Sequence, residues 1–232
     1  MSGFNCAERL KTVQEGIAGA ALSAGRNPVD ISIIAVSKTQ SVEQMRHLAA
    51  AGVTVFGESR IQEALPKIEA FRRNNEPDIR FHFIGRLQSN KAKAAAGNFE
   101  LIHSVDKAVL ARQLHIAAQN MGSTQDLLIQ VNLAEEEQKG GVYKNEIEAL
   151  YDTVLALPNI RLRGFMMIPP WHKDPEKNRH LFASMKKLFD KYAARDKLIN
   201  VLSMGMSDDY KVAVQEGATM VRIGTALFGE RD

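Results

Sequence analysis

Cysteine is almost absent from this chain. Cys6 is the single one among 232 residues, which excludes an internal disulfide framework and any cysteine-rich zinc site. Long apolar runs are missing too. No stretch approaches the roughly 20 residues of a membrane span, and the opening MSGFNCAERL lacks the apolar core of a signal peptide. A reduced, cytoplasmic protein is expected. Neither sign of charge dominates, since 30 Lys and Arg face 27 Asp and Glu for a net +3. That balance, without a Lys/Arg stripe, excludes the electrostatic footprint of a nucleic-acid binder. The six histidines include no His-x-x-x-His pair with a carboxylate, so no metal site is expected. His82 and His103 alternate within apolar strands and read as satisfied interior imidazoles. Low-complexity linkers and shifts of composition are also lacking, so residues 1–232 are read as one domain.

What the chain does have is alternation. ISIIAVS (31–37), VTVFG (53–57), RFHFIG (80–85), FELIHSV (99–105), DLLIQVNL (126–133), IRLRGFMMI (160–168), LINVLSMG (198–205) and ATMVRIG (218–224) read as strands. Helical patterns separate them. Ser41 and Gln44 have capping-box spacing, as do Ser59 and Gln62. Gly52 can close the first of these helices with a positive φ. Ser89 and Asp106 stand where two more helices open, 144–157 and 175–194 carry two others, and one more begins near Ser207. Eight strand–helix units imply right-handed crossovers and a parallel sheet. They predict a closed (β/α)8 TIM-type barrel, with residues 3–25 as an extra amphipathic helix. An open doubly wound sheet is the rival fold. It would carry a glycine-rich phosphate loop after its first strand, and SKTQS there has no glycine.

Barrel sites lie at the C-terminal ends of the strands, with phosphate often held by the loops after strands seven and eight. Those loops are SMGMSDD (203–209) and RIGTALFG (222–229). Small residues let backbone N–H groups approach a phosphate, which makes Ser203, Gly205, Ser207, Gly224 and Thr225 a candidate cradle. Tight turns and caps use the same residues. Finding both loops at the two positions a barrel would use favours a phosphate site. Lys38 ends strand one, next to strand eight in a closed ring. It reads either as a solvated strand end or as a reactive amine with a pKa lowered by desolvation and by Arg222. Arg222 itself either pairs with a rim carboxylate such as Glu58 or donates to a pyridine nitrogen. In the latter case it would weaken the cofactor as an electron sink. An anion cradle with an imine-forming lysine suits pyridoxal 5′-phosphate or a phosphorylated sugar aldehyde.

AVSKT, FGESRIQEA, FHFIGRLQSNK, SVD, KGG, RGFMMIP, LSMGMSDDY and VRIGTALFGER occur in that order. From about residue 31 to residue 231 the sequence resembles the pyridoxal phosphate homeostasis family, itself similar to the N-terminal barrel of alanine racemase among fold-type III proteins. The resemblance implies pyridoxal 5′-phosphate as cofactor, carried by Lys38 as an internal aldimine. It further implies that Ser203, Gly224 and Thr225 hold the phosphate and that Arg222 faces the ring nitrogen. Ser59 stands where the family commonly has Asn, which implies a looser contact with the ring. Gln40 replaces a frequent Lys or Pro, and Lys139 matches a recurring family lysine.

Three functions compete. The first is a cofactor carrier that stores, buffers or delivers pyridoxal phosphate as a monomer, with apo-enzymes as candidate recipients and no catalytic residue. The second is a fold-type III racemase or decarboxylase of unusual specificity. The third is a lysine aldolase acting on a sugar phosphate. Racemases add a C-terminal β-domain and an opposing tyrosine base, and none of Tyr143, Tyr151, Tyr192 and Tyr210 lies in a motif matching that tyrosine.

Overall fold

The computed structural model describes residues 6–229 apart from 75 and 77. Eight strands are all parallel and close on themselves in sequence order. They are β1 Ser32–Val36, β2 Val55–Glu58, β3 Arg80–Phe83 and β4 Leu101–Val105, followed by β5 Gln125–Val131, β6 Ile160–Met167, β7 Val201–Met206 and β8 Met220–Ile223. The expected barrel is therefore present, and the open sheet is excluded by the pairing of β1 with β8. Ser32 stands opposite Met220 and Ala35 opposite Ile223. Strands covered on both faces need apolar residues at successive positions. That explains why β2 and β4 are buried along their whole length.

Helices α1 Cys6–Ser23, α2 Val42–Ala50, α3 Ile61–Arg73, α4 Ala92–Ala95 and α5 Ala108–Asn120 cover the first half of the ring. Helices α6 Ile147–Leu155, α7 Arg179–Ala193, α8 Tyr210–Gln215 and α9 Thr225–Phe228 cover the second. In α7, buried Phe182, Met185, Phe189 and Tyr192 recur at helical spacing, so one stripe faces the sheet. The extra helix α1 buries Leu10, Val13, Ile17 and Ala21 and packs on α8 and α9, beside the β8–β1 seam. Its expected first residues, 3–5, lie outside the described residues.

Helix starts follow the sequence only in part. Ser41 and Gln44 form the expected capping box, and Gly52 follows that helix with φ 108°. Ser59 does not cap α3, which starts from Arg60 without a side-chain cap. The Ser59 peptide is pressed against Gly85 instead, where an added Cβ would lie 2.1 Å from the Ser59 carbonyl oxygen. Ser89 begins a short 3-10 turn before α4 without capping it. Asp106 also caps nothing, because its carboxylate reaches across to accept the Gly141 N–H at 3.4 Å. The helices expected over 144–157 and from Pro175 each open with a 3-10 turn before the α-helix proper.

Two apolar layers result. The larger lies between strands and helices. Leu101, Leu128, Met166 and Val201 form a separate cluster. Leu101 shares a strand face with His103, and Val201 with Ser203, by the two-residue period of a strand. This smaller cluster therefore fills the barrel interior beneath a polar group. Gly164 on β6 fixes how closely β7 approaches. Its φ is 145°, and a Cβ there would lie 1.9 Å from the Val201 carbonyl oxygen. Gly164→Ala is expected to lower the unfolding free energy by about 2–4 kcal/mol through backbone strain and overpacking. A urea melt measures this, and a stability equal to that of the parent would contradict it.

Candidate functional site

The apolar run of β1 delivers Lys38 two residues beyond its last strand residue, Val36. The turn leaves the sheet with the Ser37 N–H still donating to the Gly57 carbonyl at 3.0 Å, and Lys38 itself is half-buried. Because Ala35 pairs with Ile223, the next residue of β1 lies beside Gly224. A Cβ on Gly224 would meet Val36 Cβ at 3.6 Å. Lys38, Gly224 and Thr225 thus share the C-terminal rim, as the sequence implied.

The two glycine-rich turns meet there. Ser207 Oγ accepts the N–H of Gly224 at 3.2 Å and of Ala226 at 3.4 Å. Two backbone donors converging on one oxygen is how a turn holds an anion. Ala226 was not legible in sequence, since its contribution is its amide. The first turn is shaped by Gly205, whose φ is 92° and whose added Cβ would lie 2.6 Å from Ala213 Cβ. Its far side is tied down by Asp209, which accepts the Met206 N–H at 2.7 Å. Burial pushes the Asp209 carboxyl up, opposed by that amide and by the charge of Arg222.

Ser203 is the expected cradle member that the structure brings elsewhere. It stands opposite Met220, the first residue of β8, and its hydroxyl is buried among side chains of the barrel interior. Arg222 Nη1 donates to Ser203 Oγ at 2.7 Å, while Nη2 donates to the Met167 carbonyl at 2.9 Å. Arg222 does not pair with Glu58, whose carboxylate is taken by Lys67 at 2.8 Å. Burial lowers the Arg222 pKa to about 10, against the raising effect of Asp209. That is high enough to keep the guanidinium charged near neutrality.

A chain of contacts leads away from this fixed cation. Ser203 Oγ is 3.0 Å from His103 Nδ1, and His103 Nε2 is 3.0 Å from His82 Nδ1. Arginine can only donate, so Ser203 Oγ accepts from Arg222 and shares a second hydrogen bond with His103 Nδ1. His103 Nε2 and His82 Nδ1 are joined by one N–H···N hydrogen bond, and the remaining ring nitrogen of His82 is Nε2. That atom is buried without a hydrogen-bond partner among the described residues, 4.0 Å from Glu100. Both histidines lie in the interior as the sequence suggested and are joined in one chain of hydrogen bonds, but the expected satisfaction fails at His82 Nε2.

Ser59 is half-buried at the rim and borders a cavity of about 580 Å³ lined by Arg60, Arg86, Lys91 and Lys107 among others. Lys139 lies on the loop after β5, and its carbonyl accepts from Gln130 at 2.8 Å. The four tyrosines are dispersed. Tyr192, buried in the helical layer, donates to Glu148 at 2.6 Å, and the Tyr151 ring packs against it at a tilt with centroids 4.6 Å apart. The Tyr210 hydroxyl is packed against Gly16 of α1. Tyr143 lines a surface cavity with Glu135, Glu137, Lys144 and Asn145.

A pH dependence follows from the two imidazoles. Burial lowers the pKa of both, with His82 and Arg222 adding to the effect at His103 and Glu100 opposing it at His82. In the unfolded chain they take up protons near pH 6.5. The unfolded state therefore binds more protons below that pH, and stability is lost as pH falls. The unfolding free energy should be greatest above about pH 7 and decline as pH falls through 6.5 toward 5. His103→Gln should flatten that decline, and an unchanged slope in this variant would contradict the assignment.

Comparison with known proteins shows the family and the fold. Residues 22–232 match the family model for the alanine racemase N-terminal domain. The pyridoxal phosphate homeostasis protein of Aquifex aeolicus is 43% identical over 229 residues, covering 98% of this chain and 99% of that one. Its counterpart in Escherichia coli is 37% identical, with 97% of each chain covered. PipY of Synechococcus elongatus, solved with pyridoxal phosphate bound, superposes with a TM-score of 0.84 at 34% identity. That match covers 97% of this chain and all of PipY. Alanine racemase from Corynebacterium glutamicum, 15% identical with a TM-score of 0.69, shares the fold, and the match covers 96% of this chain but 62% of the racemase. This chain belongs to the pyridoxal phosphate homeostasis family, within the alanine racemase N-terminal domain fold.

Proposed function

We propose that this chain binds pyridoxal 5′-phosphate at the C-terminal rim of the barrel and stores, buffers or delivers it without catalytic turnover. The carrying observation is the oxygen of Ser207 held by two backbone N–H groups on the rim that also bears Lys38. The residues fit the cofactor at each end. The amides of Gly224 and Ala226, with Ser207, Gly205 and Thr225, would take the phosphate. Arg222 would donate to the ring nitrogen, held in place by Ser203 and the Met167 carbonyl. Ser203 on this reading supports Arg222 and does not touch the phosphate. Ser59 would border the ring.

When bound, the cofactor supplies an aldehyde that amines bond reversibly and a ring that withdraws electrons. Lys38 is the residue that would hold the cofactor covalently, because its amine would stand where the aldehyde can bond reversibly. As a cationic donor, Arg222 would keep the ring nitrogen unprotonated and so would limit how far electrons are withdrawn from an attached amino acid. Proton exchange also needs a base on the opposite face. Tyr151, Tyr192 and Tyr210 are committed to the outer layer, which supports carriage over racemisation. The closed barrel supports one binding unit over residues 1–232. The lone cysteine supports a reducing, cytoplasmic setting, and we take the monomer as the working state.

Two assays test this. The loaded protein should show no sustained racemisation, decarboxylation or transamination of alanine, serine or other common amino acids. It should restore activity to an apo-enzyme beyond what an equal amount of free cofactor restores. Multiple turnovers with any amino acid would establish the enzyme reading. Delivery no better than free cofactor would leave storage or buffering as the role. A folded protein that stays colourless with the cofactor but acts on a sugar phosphate would establish the aldolase.

A further inference from the structure

Between β1 and α2 the chain carries Lys38 on a turn that the Gln40 N–H closes by donating to the Ser37 carbonyl at 3.0 Å, and one residue of it is strained. Thr39 has φ 68°, a left-handed conformation that β-branched residues rarely adopt and that persists only when the surroundings hold it. The residues on either side of Lys38 are both gripped from outside the turn. On one side, Ser37 Oγ donates to Glu58 Oε1 at 2.6 Å, and the Ser37 carbonyl accepts from Lys67 Nζ at 2.8 Å. On the other side, the Thr39 N–H donates to Glu63 Oε1.

These grips form one unit. Lys67 Nζ lies 2.8 Å from Glu58 Oε1 and 3.0 Å from Glu63 Oε1, so its three donors are met by two carboxylates and the Ser37 carbonyl. Glu58 ends β2, and Glu63 and Lys67 are one turn apart on α3. The network therefore ties strand two and helix three to both neighbours of Lys38. An ammonium removed from water persists only with such partners, and Lys67 is 7% exposed. Burial opposes ionisation of Glu63, yet the Thr39 amide and Lys67 outweigh it and hold the carboxyl below its usual range.

We infer that Lys67 and Glu63 are positioning residues for Lys38: through Ser37 and Thr39 they fix the backbone from which its amine reaches the cofactor's aldehyde. The inference rests on Lys38 being the covalent ligand. Neither residue touches the cofactor on this account, so their effect should appear only in the bond that Lys38 makes.

Two probes separate that effect from general loosening. Pyridoxal 5′-phosphate has the aldehyde; pyridoxine 5′-phosphate has an alcohol in its place and cannot bond an amine. The full chain is freed of cofactor and titrated with each, and the ratio of affinities is read. Glu63→Ala should lower affinity for the aldehyde by about tenfold, as expected when a reacting group is misplaced by a fraction of an ångström. Affinity for the alcohol should not change. Glu63→Gln keeps an acceptor for the Thr39 amide and should stay close to the parent. Lys67→Met, where it folds, should lose the aldehyde preference as well.

A Glu63→Ala protein with the parental ratio would overturn the proposal. So would equal losses for both ligands, which would mark a merely structural role. Lys38→Ala is the control. If it abolishes the aldehyde preference while Glu63→Ala keeps it, only the positioning role falls. If Lys38→Ala itself keeps the preference, the assignment of Lys38 falls and the positioning role with it.

Discussion

The pairing of β1 with β8 is the constraint on which the site depends. Four residue pairs, from Ser32 with Met220 to Ala35 with Ile223, join segments almost 190 positions apart. Without that seam, Lys38 at one end of the chain and the Gly224 turn at the other would have no common edge. With it, the amine and the backbone donors stand on one rim at a separation set by the sheet. Closure also removes the exposed sheet edges of an open fold. Helix α1 packs beside this seam against α8 and α9, which gives the extra helix a clear structural task.

Charge is organised around that rim in two buried groups of different character. Inside the barrel, Arg222 is a fixed donor whose two hydrogen bonds, to Ser203 and the Met167 carbonyl, set its plane. Two neutral imidazoles extend the chain of hydrogen bonds away from it. Outside the β1–β2 edge, Lys67 sits among carboxylates and a carbonyl. Each group satisfies a buried cation with oxygen acceptors, without which the burial would cost several kcal/mol. One organises the region assigned to the ring nitrogen, and the other holds the turn that bears Lys38.

The architecture was legible because parallel strands covered on both faces appear as apolar runs, and eight of them alternate with helical patterns. The rim position of Lys38 and of the glycine-rich turns was legible for a related reason: each follows the end of a strand that the apolar pattern marks. What escaped the sequence depended on register and long-range reach. The hydroxyl of Ser203 serves Arg222 because β7 and β8 shift register between Ser203 and Met206, which no local pattern announces. Ser59 and Asp106 look like helix caps until Gly85 and Gly141 claim them. Lys67 stands four residues after Glu63, a spacing that reads as a surface ion pair. Only the fold shows Glu58 and the Ser37 carbonyl on its other side.

The central claim is that Lys38, alone among the lysines, bonds the cofactor covalently. The direct measurement is borohydride reduction of the folded protein with an equimolar amount of pyridoxal 5′-phosphate, followed by peptide mapping. The account predicts that the reduced adduct is found on the peptide bearing Lys38. An adduct spread over surface lysines, or concentrated on Lys139 with Lys38 unmodified, would contradict it.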